Sequence, residues 1–312
     1  MSVDLDQLRP GATLMVRGWR WSLGGNAGRC AATLSALGVQ VTLLGDLGAD
    51  PDGDLLLGEL ARVGVGVGEI HRHQDTETST TLSLVQPDGE RTLLHDAGAN
   101  AKTEVSALDR LDEQLKDNDI LFLSGARLMP CLGVSGAAAL LKSGALAGAL
   151  TIYDTTVNPA GANKESLMPL LAGADIFCTS MGEAREDWSV SDAESLTERL
   201  VDQARGWVVV KDGSRGAIAG HRDEGLFHCK PSTARAQDTT GAGDSFMAGL
   251  IYAISTGREL PLALAYGVAG GSASVSSSGD LYKSISPEQL DELVSELAPR
   301  VVRTPSLVTR SS

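Results

Sequence analysis

The sequence is short of the features that mark several protein classes. Its four cysteines, Cys30, Cys131, Cys178 and Cys229, stand far apart and form no Cys-x-x-Cys pair. That excludes the common zinc and dithiol spacings and leaves the thiols as small buried hydrophobes. Aromatic residues make up only 4% of the chain. No apolar run reaches the ~18 residues of a membrane span, and no secretory leader opens the sequence, so a soluble, cytoplasmic protein without a membrane partner is expected. Basic residues are outnumbered: 26 Lys and Arg against 40 Asp and Glu give a formal charge of −14. A surface of that sign repels nucleic acid, and the basic residues gather in no local patch that would reverse the field. No Gly-Lys dipeptide occurs, which removes the P-loop, and His-Glu-x-x-His and Gly-x-Ser-x-Gly are also missing.

What is present fits a large α/β unit. The 312 residues suffice to bury roughly three quarters of the unfolded surface without staples, and no linker-like stretch divides them. Residues 12–21 read as a short strand, 26–37 as a tightly packed helix and 39–44 as a β-type run, followed by the acidic glycine-rich loop GDLGADPDG and an amphipathic helix over 54–63. His71 and His73 fall in a polar loop. Strands at 80–86 and 91–95 flank Pro87-Asp88-Gly89-Glu90, a hairpin turn. Beyond Gly98 short apolar runs at 120–123, 150–153, 176–178 and 207–210 alternate with helix-like segments, which predicts a mostly parallel sheet covered by helices on both faces. The small-residue segments 246–255 and 262–276 read as buried helices.

The chemistry concentrates in Asp238-Thr239-Thr240-Gly241-Ala242-Gly243-Asp244, which runs into the apolar segment SFMAGLIYAI. A Gly-Ala-Gly turn at a helix start leaves backbone N–H groups pointing outward. With the positive end of the helix dipole they form a seat for anionic oxygens such as phosphate. A carboxylate in the same turn is placed to take a proton from a hydroxyl attacking that phosphate. The alternative is that Asp238 or Asp244 caps the helix and the glycines make a turn.

The seven-residue string resembles the DTxGAGD signature of the ribokinase-like (PfkB) carbohydrate kinases. Ser22-Leu23-Gly24-Gly25-Asn26-Ala27-Gly28, running on to Leu37-Gly38, is similar to that family's first signature, and further segments follow in the family's order. The resemblance implies Asp244 as catalytic base and the amides of Gly241, Ala242 and Gly243 as anion hole. It implies substrate contacts from Gly24, Gly25, Asn26, Arg29 and, in a Gly-Ala-Asn turn, Asn100. Nucleotide contacts would come from Asn158 and from Lys211, Gly213 and Gly216 of a K-x-G-x-x-G loop. Glu183 matches the glutamate of a magnesium-linked NxxE motif. Asp238 and Thr240 are candidates for a potassium site, with turn stabilisation as the alternative. The fold implied is a single ribokinase-like domain over 1–312, a Rossmann-like sheet with a small β lid (about 12–21 and 80–95) through which two subunits pair. The activity implied is ATP- and Mg2+-dependent phosphorylation of a hydroxyl on a sugar or sugar-like molecule. A nucleoside kinase and a catalytically weakened sugar- or nucleotide-binding relative are the alternatives.

Three positions depart from the family pattern. The family's opening strand, with an Asp that holds sugar hydroxyls, would fall before Met1, so a truncated start is expected, with Asp4 or Asp6 as a substitute otherwise. Arg29 stands where the first signature carries asparagine; it reads either as a surface salt bridge or as an anion-reading group favouring a phosphate or carboxylate on the substrate. Ser180 replaces the asparagine of NxxE, which weakens one oxygen ligand of the magnesium network.

Overall fold

In the computed structural model, residues 9–11, 13, 15, 18–85, 91–105, 115–157, 166–231, 241–276 and 280–304 are described. Eleven strands and nine α-helices are formed among them. In chain order they are α1 (Asn26–Ala36), β1 (Gly45–Gly48), α2 (Pro51–Arg62), β2 (Ile70–His73), β3 (Thr80–Val85), β4 (Arg91–Asp96), β5 (Ile120–Ser124), α3 (Gly133–Leu146), β6 (Leu150–Asp154), α4 (Met168–Gly173), β7 (Ile176–Ser180), α5 (Met181–Trp188), α6 (Ala193–Val201), β8 (Trp207–Lys211), β9 (Ala217–His221), β10 (Gly225–Cys229), α7 (Ala242–Ser255), α8 (Leu260–Ser276), α9 (Pro287–Leu297) and β11 (Val301–Thr304).

The central sheet has seven strands in the order β11-β10-β9-β8-β7-β6-β5. Strands β5 to β8 are parallel to one another, while β8, β9, β10 and β11 join antiparallel. The apolar runs legible in the sequence become β5–β8 because each is covered on two faces. Successive residues alternate between those faces. Ile152, Cys178, Val209 and Ala219 enter a core shared with α1, α7, α8 and α9. Tyr153, Phe177, Val208 and Val210 enter a second core shared with α3, α4 and α6. Each large side chain fully buried in this way contributes about 1.5–3 kcal/mol.

Helices α7 and α8 lie against each other almost backbone to backbone. A Cβ built on Gly249 would run into the carbonyl of Tyr266, and one on Gly270 into that of Ser245. Apolar residues then close the seam around them, Phe246, Met247, Leu250, Leu264 and Val268 all being buried.

Two small sheets stand outside the central one: the parallel pair β1–β2 and the antiparallel hairpin β3–β4. Here the expectations from sequence need correction. The described residues within 12–21 belong to no strand, and Trp19 is exposed; polar and apolar residues mix there without alternation, and Gly18 takes a φ of +77°. The β-type run 39–44 makes only an isolated bridge, Thr42 to Gly66, and the strand forms instead at Gly45–Gly48, inside the glycine-rich segment read as a loop. Its partner is Ile70–His73, so His71 and His73 sit in a strand, and His73 Nε2 meets Asp46 Oδ1 at 2.8 Å. Three cysteines are buried as expected, but Cys131 is exposed. The expected turn at 87–90 lies outside the described residues.

Candidate active site

Parallel strands align their carboxyl ends, and ligands of open α/β sheets bind beyond that edge. Register places Ser124 opposite Asp154, and Ser180 opposite Lys211, so one edge presents Ser124, Asp154, Ser180 and Lys211. Two helix starts meet this edge. Asn26, the first residue of α1, brings its Nδ2 to 3.4 Å from Ser124 Oγ. Helix α7 begins after Gly241, which is left-handed at φ +75°, and carries Asp244 in its first turn.

Glycine is required at 241 by its positive φ, and the Arg29 guanidinium packs into the space a Cβ would take, its Cζ and Nε 2.7 Å from that position. Arg29 is therefore no surface residue; its side chain is 11% exposed and packs against the α7 turn. It donates from Nη1 to the Leu23 carbonyl at 3.1 Å, and its Nε lies 3.4 Å from Asp244 Oδ2. Its Nη2 is 3.8 Å from Asp280 Oδ1, a carboxylate that Lys283 approaches more closely, at 2.7 Å. Burial pushes the Asp244 carboxyl up to about 6, against the pull of Arg29 and Lys211 toward the charged form and with a push from Glu183.

Lys211 ends β8 with its Nζ 2.5 Å from Asp154 Oδ1; Asp154 is buried and the lysine side chain is 11% exposed. The same Nζ would stand 3.7 Å from a Cβ on Gly243, which puts the ammonium beside the α7 turn. Burial raises Asp154 to about 7, with Lys211 opposing and Glu183 adding to the rise; the carboxylates around Lys211 overcome its own burial and hold its pKa above the usual value. Glu183 Oε2 accepts the Ser180 N–H at 3.0 Å and the Thr155 hydroxyl at 2.6 Å, while Ser180 Oγ accepts the Glu183 N–H at 3.3 Å. Ser180 thus caps α5 in a capping box, a use its replacement of asparagine did not reveal.

The remaining assigned residues divide. Gly24 and Gly25 are exposed, with no atom within 4 Å of a built Cβ, so a ligand has room to approach. Gly213 is equally open, at φ +56°, but Gly216 owes its glycine to the carbonyl of Cys229 against which it packs. Asn100 lies half-buried in a 3-10 turn after the hairpin, fixed by Ala99 N–H donating to the Glu77 carbonyl at 2.8 Å. Asn158, Asp238 and Thr240 lie outside the described residues.

Four groups at this edge escaped the reading of the sequence: Asp154, Thr155, Thr179 and Asp280. Asp154 had a signal, as the polar residue that directly follows the apolar run 150–153 at a strand's carboxyl end. Asp280 had none, because only the fold carries it to Arg29. Among the described residues no three His, Cys, Asp or Glu side chains are gathered to hold a metal ion, and no helix is long and apolar enough to cross a membrane.

A profile of the pfkB family carbohydrate kinases matches residues 1–287. The ATP-dependent ribose-1-phosphate kinase of Halopiger xanaduensis is 28% identical over 259 residues, 82% of this chain and 81% of that protein. The fructoselysine 6-kinase of Escherichia coli is 27% identical over 246 residues, 79% of this chain and 87% of that protein. Among solved structures, the ribokinase of Arabidopsis thaliana complexed with ribose and ATP superposes with a TM-score of 0.75 over 92% of this chain and 93% of its own, at 21% identity.

Proposed function

This chain belongs to the pfkB family of carbohydrate kinases and is a sugar kinase, and we propose that it transfers the γ-phosphoryl group of ATP to a hydroxyl of a sugar or sugar-like acceptor with Asp244 as base. The observation that carries this reading is the placement of Asp244 in the first turn of α7, with the Gly241, Ala242 and Gly243 amides and the Lys211 ammonium around it. The acceptor oxygen forms a bond to the γ-phosphorus, its proton passes to Asp244, and the bond from phosphorus to the bridging oxygen breaks, its electron pair leaving with ADP. Burial supports the base: a carboxyl near 6 is mostly ionised at neutral pH and still holds a proton better than a free aspartate.

The first-turn amides of α7 and the Lys211 ammonium bind phosphate oxygens, with the Asp154 carboxylate fixing the lysine. Gly213 and Gly216 shape the neighbouring nucleotide loop, and Asn158 keeps its assignment to the nucleotide. Gly24, Gly25, Asn26 and Asn100 face the sugar. Magnesium supplies charge neutralisation on the phosphates; Glu183, its carboxylate fixed by Ser180 and Thr155, is the group that fits it, and one carboxylate suits an ion held mostly by phosphates and water. Asp238 and Thr240 keep their assignment to a monovalent cation, tested by turnover in potassium against sodium. A cytoplasmic location and a homodimer built on the β3–β4 hairpin complete the reading; exposed Leu82, Leu93 and Leu94 on that hairpin support the pairing.

The test is ADP release across a panel of neutral sugars, sugar acids, sugar phosphates, amino-sugar conjugates and nucleosides. Turnover with one sugar class and with no nucleoside is expected. Turnover confined to nucleosides replaces the acceptor, and retained ATP binding without turnover on any member refutes the catalytic reading.

A further inference from the structure

Among the described residues the candidate site gathers more acidic than basic side chains. Asp154, Glu183, Asp244 and Asp280 are met, among the described residues, by Lys211 and Arg29 from within, with Lys283 outside on Asp280. Lys211 is committed to Asp154 at 2.5 Å and sits under the Gly243 end of the turn. Arg29 sits at the Gly241 end, its guanidinium packed on the turn itself and in ion-pair range of the base. It reaches that place from the first turn of α1, which directly follows the sugar-side Gly24 and Gly25, so it stands between the acceptor and the phosphate seat.

Resting on the kinase reading, we propose that Arg29 is a catalytic residue whose guanidinium binds the phosphoryl group in transit from ATP to the acceptor hydroxyl. The transferred group carries its charge on three equatorial oxygens, and little covalent chemistry is left for the protein beyond positioning and charge stabilisation. A planar guanidinium fits two of those oxygens at once, which a lysine cannot match. The move toward the phosphoryl leaves Asp280 satisfied, since Lys283 is its nearer partner. It also releases Asp244 from a neighbouring cation as the acceptor oxygen forms its bond to phosphorus, the hydroxyl proton going to Asp244 and the bridging electron pair to ADP. Removing that cation makes the carboxylate more basic at the step that needs it. Residue 29 acts on the group being moved, and the sugar's own anion, if it has one, is not what it reads.

Binding separates this from every other role of Arg29. Calorimetry on the parent, Arg29→Ala and Arg29→Lys is run with two probes in Mg2+: a non-hydrolysable ATP analogue, and ADP with aluminium fluoride, which imitates the phosphoryl in flight. Arg29→Ala is expected to hold the ATP analogue about as the parent does and to lose about 10²–10³-fold in affinity for the fluoride complex. Arg29→Lys falls between, and stands in if the alanine variant does not fold. Equal weakening of both probes makes Arg29 a general electrostatic or packing residue and overturns the proposal, as does no change in either. A KM increase confined to phosphorylated or acidic sugars returns it to acceptor recognition and overturns it too. A parent that binds neither probe overturns the kinase reading itself, a distinguishable failure.

Discussion

Replacing Asp244 by Asn removes the base, and the structure predicts that the crippled enzyme is the more stable one. The carboxyl rises from 3.8 to about 6 on folding, chiefly through burial, with the attraction of Arg29 already counted in that value. A group that binds its proton more tightly in the folded state costs stability once it is ionised. The cost is absent below pH 3.8, grows between there and about 6, and is complete above. At ~1.4 kcal/mol per unit it amounts to about 3 kcal/mol at neutral pH. The carboxylate also gains from the start of α7, about 0.5–1 kcal/mol that the amide loses. The net gain for Asp244→Asn is then about 2 kcal/mol, which raises Tm by roughly 3 °C in a chain this long. The side chain keeps its size, so Gly241 and Arg29 are undisturbed. Urea titrations at pH 7.5, followed by far-ultraviolet dichroism, should show a higher midpoint at unchanged slope, while kcat falls by ~10²–10⁴. An Asn variant no more stable than its parent at pH 7.5, with the slope unchanged, refutes the claim that burial dominates at this carboxylate. Near-normal turnover refutes its role as base and leaves it a first-turn carboxylate of α7.

Three further outcomes test other parts of the site. kcat/KM should be flat above pH about 6 and fall tenfold per unit below it as Asp244 takes up its proton; a limb near 4 in the pH profile contradicts the buried base. Gly241→Val places a β-branched side chain at φ +75° and into Arg29, costing about 2 kcal/mol or more of stability and weakening ATP binding, measured by melting and calorimetry; a variant equal to the parent in both refutes the packing described. Leu94→Glu charges an exposed position of the β3–β4 hairpin; light scattering should report monomers where the parent forms dimers, and a parent that is monomeric removes the hairpin pairing.

Much of the fold was legible for a plain physical reason. Strands β5 to β8 are covered on both faces, so they read as unbroken apolar runs between turn residues. Helix α7 and its base were legible together because anion seat and carboxylate are contiguous in sequence. What escaped was contact between distant segments. Lys211 and Asp154 lie 57 positions apart, and nothing local to either announces the pair. Arg29 could be singled out as a departure from the family pattern, yet its attachment to the base exists only once α1 and α7 are packed. Strand β1 was missed because Gly45 and Gly48 carry no β-type pattern; its order comes from the partner strand at 70–73.

The glycine seam between α7 and α8 gives residues that never meet a ligand a hold on the reaction rate. Asp244 directly precedes Ser245, whose carbonyl faces Gly270, with no intervening side chain to absorb a shift. A methyl group added at Gly270 or Gly249 must be answered by separating the helix axes, and that displacement arrives whole at the base. Misplacement of a reacting group by about 1 Å is worth ~10² in rate, so a substitution here acts as a clock setting and not as a change of affinity. The same seam denies α7 a private opening. Beyond the open first turn its amides can exchange with solvent only when α8 leaves as well, so the helix that carries the base is held at the stability of the whole core.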